Sequence, residues 1–226
     1  MPHTPDTAQE ALDRDLDLAA DHVDQVRAAF RRERDRLAAK PDDDPVRERE
    51  WVAVLAALWL TAGRQVYPST VTALASAVTP GPIPTFPNFV QAAAAGISRL
   101  TRKRIKAVRV SKPRNLSRQL RKLYQTDFVK KRAVRIALDQ ALRQTATFEH
   151  AAAERVQEAT GDDVLRVWHN QGDRRVRSSH LSVAAVLLGE VFLVGGTELR
   201  YPRDPTGTGR ETYGCRCWIE HQVDVL

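Results

Sequence analysis

The chain has 226 residues, 42% hydrophobic, 28% charged and 6% aromatic, a balance that permits a packed core and excludes wholesale disorder. Its formal net charge of +7 sits in one block: residues 101–150 carry 15 basic and 3 acidic groups, against 9 and 14 in 1–50, 2 and 0 in 51–100, and 9 and 11 in the last 76. Two cysteines one residue apart exclude a disulfide framework and read as thiols of a reducing compartment.

The acidic opening lacks the apolar run of a secretory leader, and the longest apolar stretch, Val52 to Ala62, has 11 residues where a membrane span needs about 20. The expectation is a soluble protein made in a cytoplasm, with no membrane partner. Residues 7–40 read as one long helix, because Leu12, Leu16, Ala19, Val23, Val26, Phe30 and Leu37 recur in a heptad-like seam. That narrow seam packs either on its own domain or against a partner helix. After a break at Lys40 to Pro45, a second helix carries Trp51, Val52, Leu55, Leu58 and Trp59 and is expected to stop near Gly63. Pro68 is expected to open a third. Thr79 to Pro87 is a proline-stiffened connector and marks a boundary.

A fourth helix, about Asn88 to Val110, begins apolar and ends basic, with Arg102, Lys103, Arg104, Lys106 and Arg109. Lys112 and Pro113 interrupt it. A fifth helix over about Ser117 to Thr145 has Leu120, Leu123, Tyr124, Val129, Val134, Ile136, Leu138 and Leu142 as apolar positions. Its polar faces carry Arg118, Arg121, Lys122, Lys130, Lys131, Arg132 and Arg135. A shorter helix is expected over Phe148 to Ala159, ended by Gly161. The basic side chains Arg102, Lys103, Arg104, Lys106, Arg118, Arg121, Lys122, Lys130, Lys131 and Arg132 are candidate nucleic-acid contacts. Sparse aromatic interleaving points to phosphate electrostatics rather than base stacking.

From Asp163 the pattern alternates and becomes β-branched. Strands are expected at DVLRVWH, EVFLV, ELRYP and CRCWIEH, with a hairpin turn at Gly195-Gly196. The fold class is therefore α+β: a mostly helical N-terminal two-thirds with a long first helix, then a small α+β module with a short sheet. The boundaries are 1–80, a helical assembly arm; 81–160, a helical region with a basic face; and 161–226, the terminal module.

Residue types that cost something to place concentrate in that module. Alternation puts Cys215 and Cys217 on one side and Arg216 on the other. With His180 they could hold zinc, given a fourth ligand from Asp173 or His221; the plainer reading is two thiols in a small core and no cofactor. A Cys–His nucleophilic pair is formally available, but nothing local supplies an oxyanion site. Asp173, Arg177 and His180 stand at i, i+4 and i+7, so on a helix they would share a face and Asp173 would pair with Arg177. GTGRE lacks the lysine of a phosphate loop.

Residues 128–226 resemble the Mu F-like family of phage minor head, or head-morphogenesis, proteins. The resemblance rests on Asp173, Arg177 and His180 as D-x-x-x-R-x-x-H; on Gly189-Glu190-Val191-Phe192; on Gly195-Gly196 followed by Leu199, Tyr201, Pro202, Asp204, Pro205 and Gly207; and on the closing Cys215-Arg216-Cys217. The helix AVRIALDQALRQTATFEHAAAE is also similar. Gly214 stands where the family often has Asn. The resemblance implies a non-enzymatic minor capsid protein, inside the virion near the portal and in the host cytoplasm during assembly. Its implied partners are portal, major capsid or scaffold proteins, and packaged double-stranded DNA. The alternatives are a head-carried nuclease or ADP-ribosyltransferase-like effector, although no appended domain is expected after Cys217, and a DNA-binding accessory protein.

Overall fold

The computed structural model describes residues 8–40, 42–85, 87–111 and 113–223. Residue 7 of the expected first helix, Pro41 and Phe86 in the expected breaks, Lys112 and the side chain of Leu12 lie outside the described residues. The element order is α1 (Ala8–Ala39), α2 (Glu48–Leu74), α3 (Pro87–Val110), α4 (Leu116–Leu123), a widened π-helical stretch (Tyr124–Arg132), α5 (Ala133–Thr160), β1 (Val164–His169), a single 3-10 turn (Ser178–His180), β2 (Val186–Leu187), β3 (Phe192–Val194), β4 (Thr197–Leu199), α6 (Gly209–Thr212) and β5 (Trp218–Val223). The fold is α+β, and no described helix is long and apolar enough to cross a membrane.

Two expected helix breaks are absent. Helix α2 continues through Gly63 and Pro68 to Leu74. Gly63 serves close packing, since a Cβ there would lie 2.5 Å from Ile83 Cγ2 and 2.8 Å from Phe148 Cζ. Pro68 removes one helical N–H, and neighbouring hydroxyls bond the nearby carbonyls: Ser69 Oγ donates to Gln65 O at 2.8 Å and Thr70 Oγ1 to Val66 O at 2.9 Å. Likewise α5 runs unbroken through Thr145 to Phe148, with the Thr147 hydroxyl turned back onto Arg143 O.

The chain divides into two compact units, each built from non-consecutive segments. One comprises residues 18–59 and 85–140, and its described elements are all helices. Its core joins Val26, Phe30 and Leu37 of α1, Trp51, Leu55 and Leu58 of α2, Ile97 of α3, Leu120 of α4, and Tyr124 and Phe128 of the widened stretch. The seam of α1 thus packs within its own chain from Ala19 to Leu37, whereas Leu16 is 45% exposed. Buried polar groups stitch this core. Glu33 accepts from Trp51 Nε1 at 2.7 Å and from Tyr124 Oη at 3.4 Å. Arg132 donates to Thr101 Oγ1 at 2.7 Å and Ile97 O at 3.0 Å, its guanidinium over the rings of Phe30 and Phe128.

The other unit comprises residues 1–17, 60–84 and 141–226. A three-stranded antiparallel sheet, ordered β2–β1–β5, sets Trp168 opposite Ile219 and Arg166 opposite His221. The expected alternation of β1 holds: Val164, Arg166 and Trp168 are buried. β3 and β4 form the expected hairpin, with Gly195 and Gly196 at φ of 57° and 79°, as a two-residue turn with both residues left-handed requires. The core gathers Trp168, Phe192, Val194, Leu199, Tyr201, Cys215, Cys217 and Ile219 against Ala146 of α5.

Burial pushes the Glu33 carboxyl up from 4.5 to about 7, against the pull of Trp51 and Arg36. A raised folded value stabilises fully below the unfolded one, and that share is lost as pH rises through the folded one. Wild-type protein is therefore expected to lose up to about 3 kcal/mol between pH 4.5 and pH 8 that Glu33→Gln, which keeps an acceptor for Trp51, does not lose. Urea unfolding of both proteins across that range checks this; parallel curves would refute it.

Candidate metal centre

Three short segments meet at one imidazole. The 3-10 turn Ser178–His180 delivers the ring, α6 delivers Glu211, and the extended run Cys215 to Cys217 enters β5 beside Trp168. His180 Nδ1 lies 3.4 Å from Cys217 Sγ and 3.6 Å from Cys215 Sγ. On its far side His180 Nε2 is 3.0 Å from Glu211 Oε2, and Ser179 Oγ donates to that same oxygen at 2.8 Å. Trp168 stands edge-on to the imidazole at 5.6 Å. All four polar residues His180, Glu211, Cys215 and Cys217 are buried, and both cysteines are free thiols.

The electrostatics follow from this contact set. The Cys217 thiol, then His180, hold Cys215 well below the usual thiol range, with burial opposing. The proton stays on Cys217, pushed up by its neighbour Cys215 and by burial. Burial alone would lower His180, but Cys215 and Glu211 draw it up overall. Glu211 is lowered despite its burial, because Ser179 and His180 donate to it. The cluster can therefore hold negative charge on sulfur while presenting an imidazole nitrogen to it.

The other expected site residues are arranged around this centre, not within it. Residues 173–177 are not helical, so the expected Asp173–Arg177 pair does not form. Asp173 takes both oxygens to Arg216 at 2.7 Å, and Arg177 donates to Tyr213 O. His221 lies opposite Arg166, two pairs along the ladder from Trp168 and so roughly 7 Å further on. Burial, with His150 and Arg166 adding, depresses it to about 3, so it is neutral. Neither Asp173 nor His221 joins the donors: the group whose ligand atoms lie within 4.8 Å of one another is His180, Cys215 and Cys217.

The Tyr201-Pro202 and Asp204-Pro205 pairs form a corner in which Tyr201, Pro202 and Asp204 are buried and Pro205 is exposed. Asp204 accepts from Arg200 N at 3.0 Å and Nε at 2.9 Å, and from Thr206 N at 2.9 Å and Oγ1 at 2.7 Å. Burial would raise its carboxyl, but these donors outweigh burial and keep it low. Tyr201 packs on His150 at 5.0 Å. Gly189 is exposed, while its neighbour Glu190 accepts from Leu187 N through its side chain.

Two residues were not anticipated. Glu211 stood in a polar loop reading, and its only signal was an acid four positions before the first cysteine. Arg166 was not singled out in the sequence, yet it is fully buried and donates to the carbonyls of Leu187, Glu190 and Arg200 with Phe192 under its guanidinium. Its place among buried Val164 and Trp168 in the alternation was the signal.

The basic candidates lie in the helical unit. Lys103, Lys106, Arg118, Arg121, Lys122, Lys130 and Lys131 are exposed. Arg102 is bound to Asp44 and Val46 O, and Arg104 lies 3.7 Å from Asp127. Arg132 is corrected: only 8% exposed, it is part of the core and not of any phosphate-facing surface. No family model, curated protein or solved structure matches the chain.

Gly195 ties the hairpin to the centre, because a Cβ there would lie 2.8 Å from Glu211 Oε1 and 3.2 Å from Ser179 Cβ. At Gly196 a Cβ would meet nothing within 4 Å. Both substitutions to Ala bear the left-handed backbone cost of about 1–2 kcal/mol. Gly195→Ala is expected to cost at least about 1 kcal/mol more, by displacing a hydrogen-bonded buried carboxylate. Chemical denaturation of the two variants tests this, and equal losses would contradict it.

Proposed function

We propose that this chain is a structural minor head protein of a tailed phage, built into the head near the portal, with a terminal module that keeps a rigid shape and performs no turnover. One observation carries the reading. Several of the residues on which the family resemblance rests, far apart in sequence, make bonds within the module: Asp173 with Arg216, Arg177 with Tyr213 O, His180 with Cys215 and Cys217. A motif whose polar groups are consumed internally suits a scaffold. An active site would present them to a substrate.

The exposed lysines and arginines of the helical unit suit a neighbour rich in phosphate, such as packaged duplex DNA. Such contacts release counterions, so affinity falls as salt rises, with a slope of about −0.9 per phosphate neutralised. They carry no sequence preference, since phosphate contacts position without reading bases.

The test is composition and activity together. Full-length chain expressed with the portal and capsid proteins of its phage is expected in purified heads at low copy. The free protein is expected to leave DNA, RNA and NAD unchanged. Absence from purified heads overturns the reading, as does turnover of any of the three that disappears in His180→Ala. For the basic face, Lys130→Glu with Lys131→Glu should weaken duplex binding and flatten its salt dependence; an unchanged slope removes DNA from the proposal.

A further inference from the structure

We infer that Cys215, Cys217 and His180 Nδ1 are the ligands of a zinc ion, with Glu211 orienting the imidazole from outside. The inference is independent of the proposed role, because it rests on the donor set alone.

Tetrahedral zinc binds thiolate sulfur at about 2.3 Å and imidazole nitrogen at about 2.0–2.1 Å, which sets a nitrogen–sulfur edge of about 3.6 Å. The two edges here are 3.4 and 3.6 Å. The three donor atoms lie within 4.8 Å of one another, so an ion is accommodated by side-chain shifts well under the size of an atom. Two thiolates and an imidazole are the donors zinc prefers, whereas calcium and magnesium require oxygen.

The outer contacts point the same way. Metal-bound histidines donate their other ring N–H to a carboxylate or carbonyl, which fixes the tautomer. Glu211 Oε2 occupies that position at 3.0 Å from Nε2, and Ser179 holds Glu211 in turn. This leaves the Nδ1 lone pair aimed at both sulfurs. Binding forms two Zn–S bonds and one Zn–N bond and displaces to solvent the protons that these three ligand atoms carry, with no change of oxidation state. The ion then staples the 3-10 turn to the start of β5.

The test uses the reduced full-length chain, stripped with chelator and titrated with cobalt(II) and then zinc(II). One cobalt per chain is expected, with a thiolate-to-cobalt charge-transfer band and the visible bands of a tetrahedral site, both removed by zinc. Zinc should also raise the thermal midpoint. Cys217→Ser should lose the charge-transfer intensity of one sulfur. Glu211→Gln, which leaves all three ligands in place, should weaken zinc binding by about 10- to 100-fold. A folded, reduced chain that takes up no cobalt overturns the inference. So does a cobalt spectrum unchanged in Cys217→Ser, or zinc affinity unchanged in Glu211→Gln.

Discussion

The terminal module depends on a single imidazole with both nitrogens committed. His180 turns one nitrogen to a buried carboxylate and the other to two sulfurs. Neither commitment is local: Glu211 and Cys217 are 31 and 37 residues away. The loops must therefore be held to their positions before the contacts can form. Gly195 keeps clear of Glu211 because it lacks a Cβ. Asp204 closes its corner by taking Arg200 and Thr206. Arg166 gathers carbonyls from the segments on either side of β3 and β4. Charge-assisted hydrogen bonds, stronger than neutral ones, thus tie these loops to the buried core of the module.

The helical unit uses the same device in a different setting. Its buried carboxyl is Glu33 and its buried cation is Arg132, placed among Phe30, Trp51, Tyr124 and Phe128. The widened stretch Tyr124–Arg132 explains how one helix reaches them. Leu120, Tyr124, Phe128 and Arg132 are all buried, a strict four-residue repeat. In an α-helix such a repeat drifts about 40° at each step. A turn closed by i→i+5 bonds, as where Ala133 N–H reaches Phe128 O, rotates less per residue and returns the repeat to one face.

The legible parts of the fold were those fixed by nearest neighbours. The alternation of Val164 to His169 and the paired glycines at 195 and 196 each carry a local backbone preference, and both gave the observed element. Gly63 and Pro68 mislead because their local preference is to end a helix. At Gly63 the deciding partners are Ile83 and Phe148, distant in sequence, and at Pro68 a serine and a threonine bond the nearby carbonyls. Arg132 misleads in the same way, since nothing local distinguishes it from Lys130 and Lys131. The sulfur–imidazole cluster was legible as residue types, but Glu211 was not, because a four-residue helix leaves no periodic trace.

The environment of Cys215 sets what its thiol can meet. A reactive cysteine needs its thiolate and also a path for the partner that it attacks. Cys215 has the first, but it is 3% exposed, with Cys217 and His180 against its sulfur. His180 in turn cannot swing to act as a base without leaving Glu211, and Glu211 cannot follow without leaving Ser179. Movement of His180 away from this position breaks buried hydrogen bonds. Those same bonds fix His180, Glu211 and Ser179 relative to the two sulfurs.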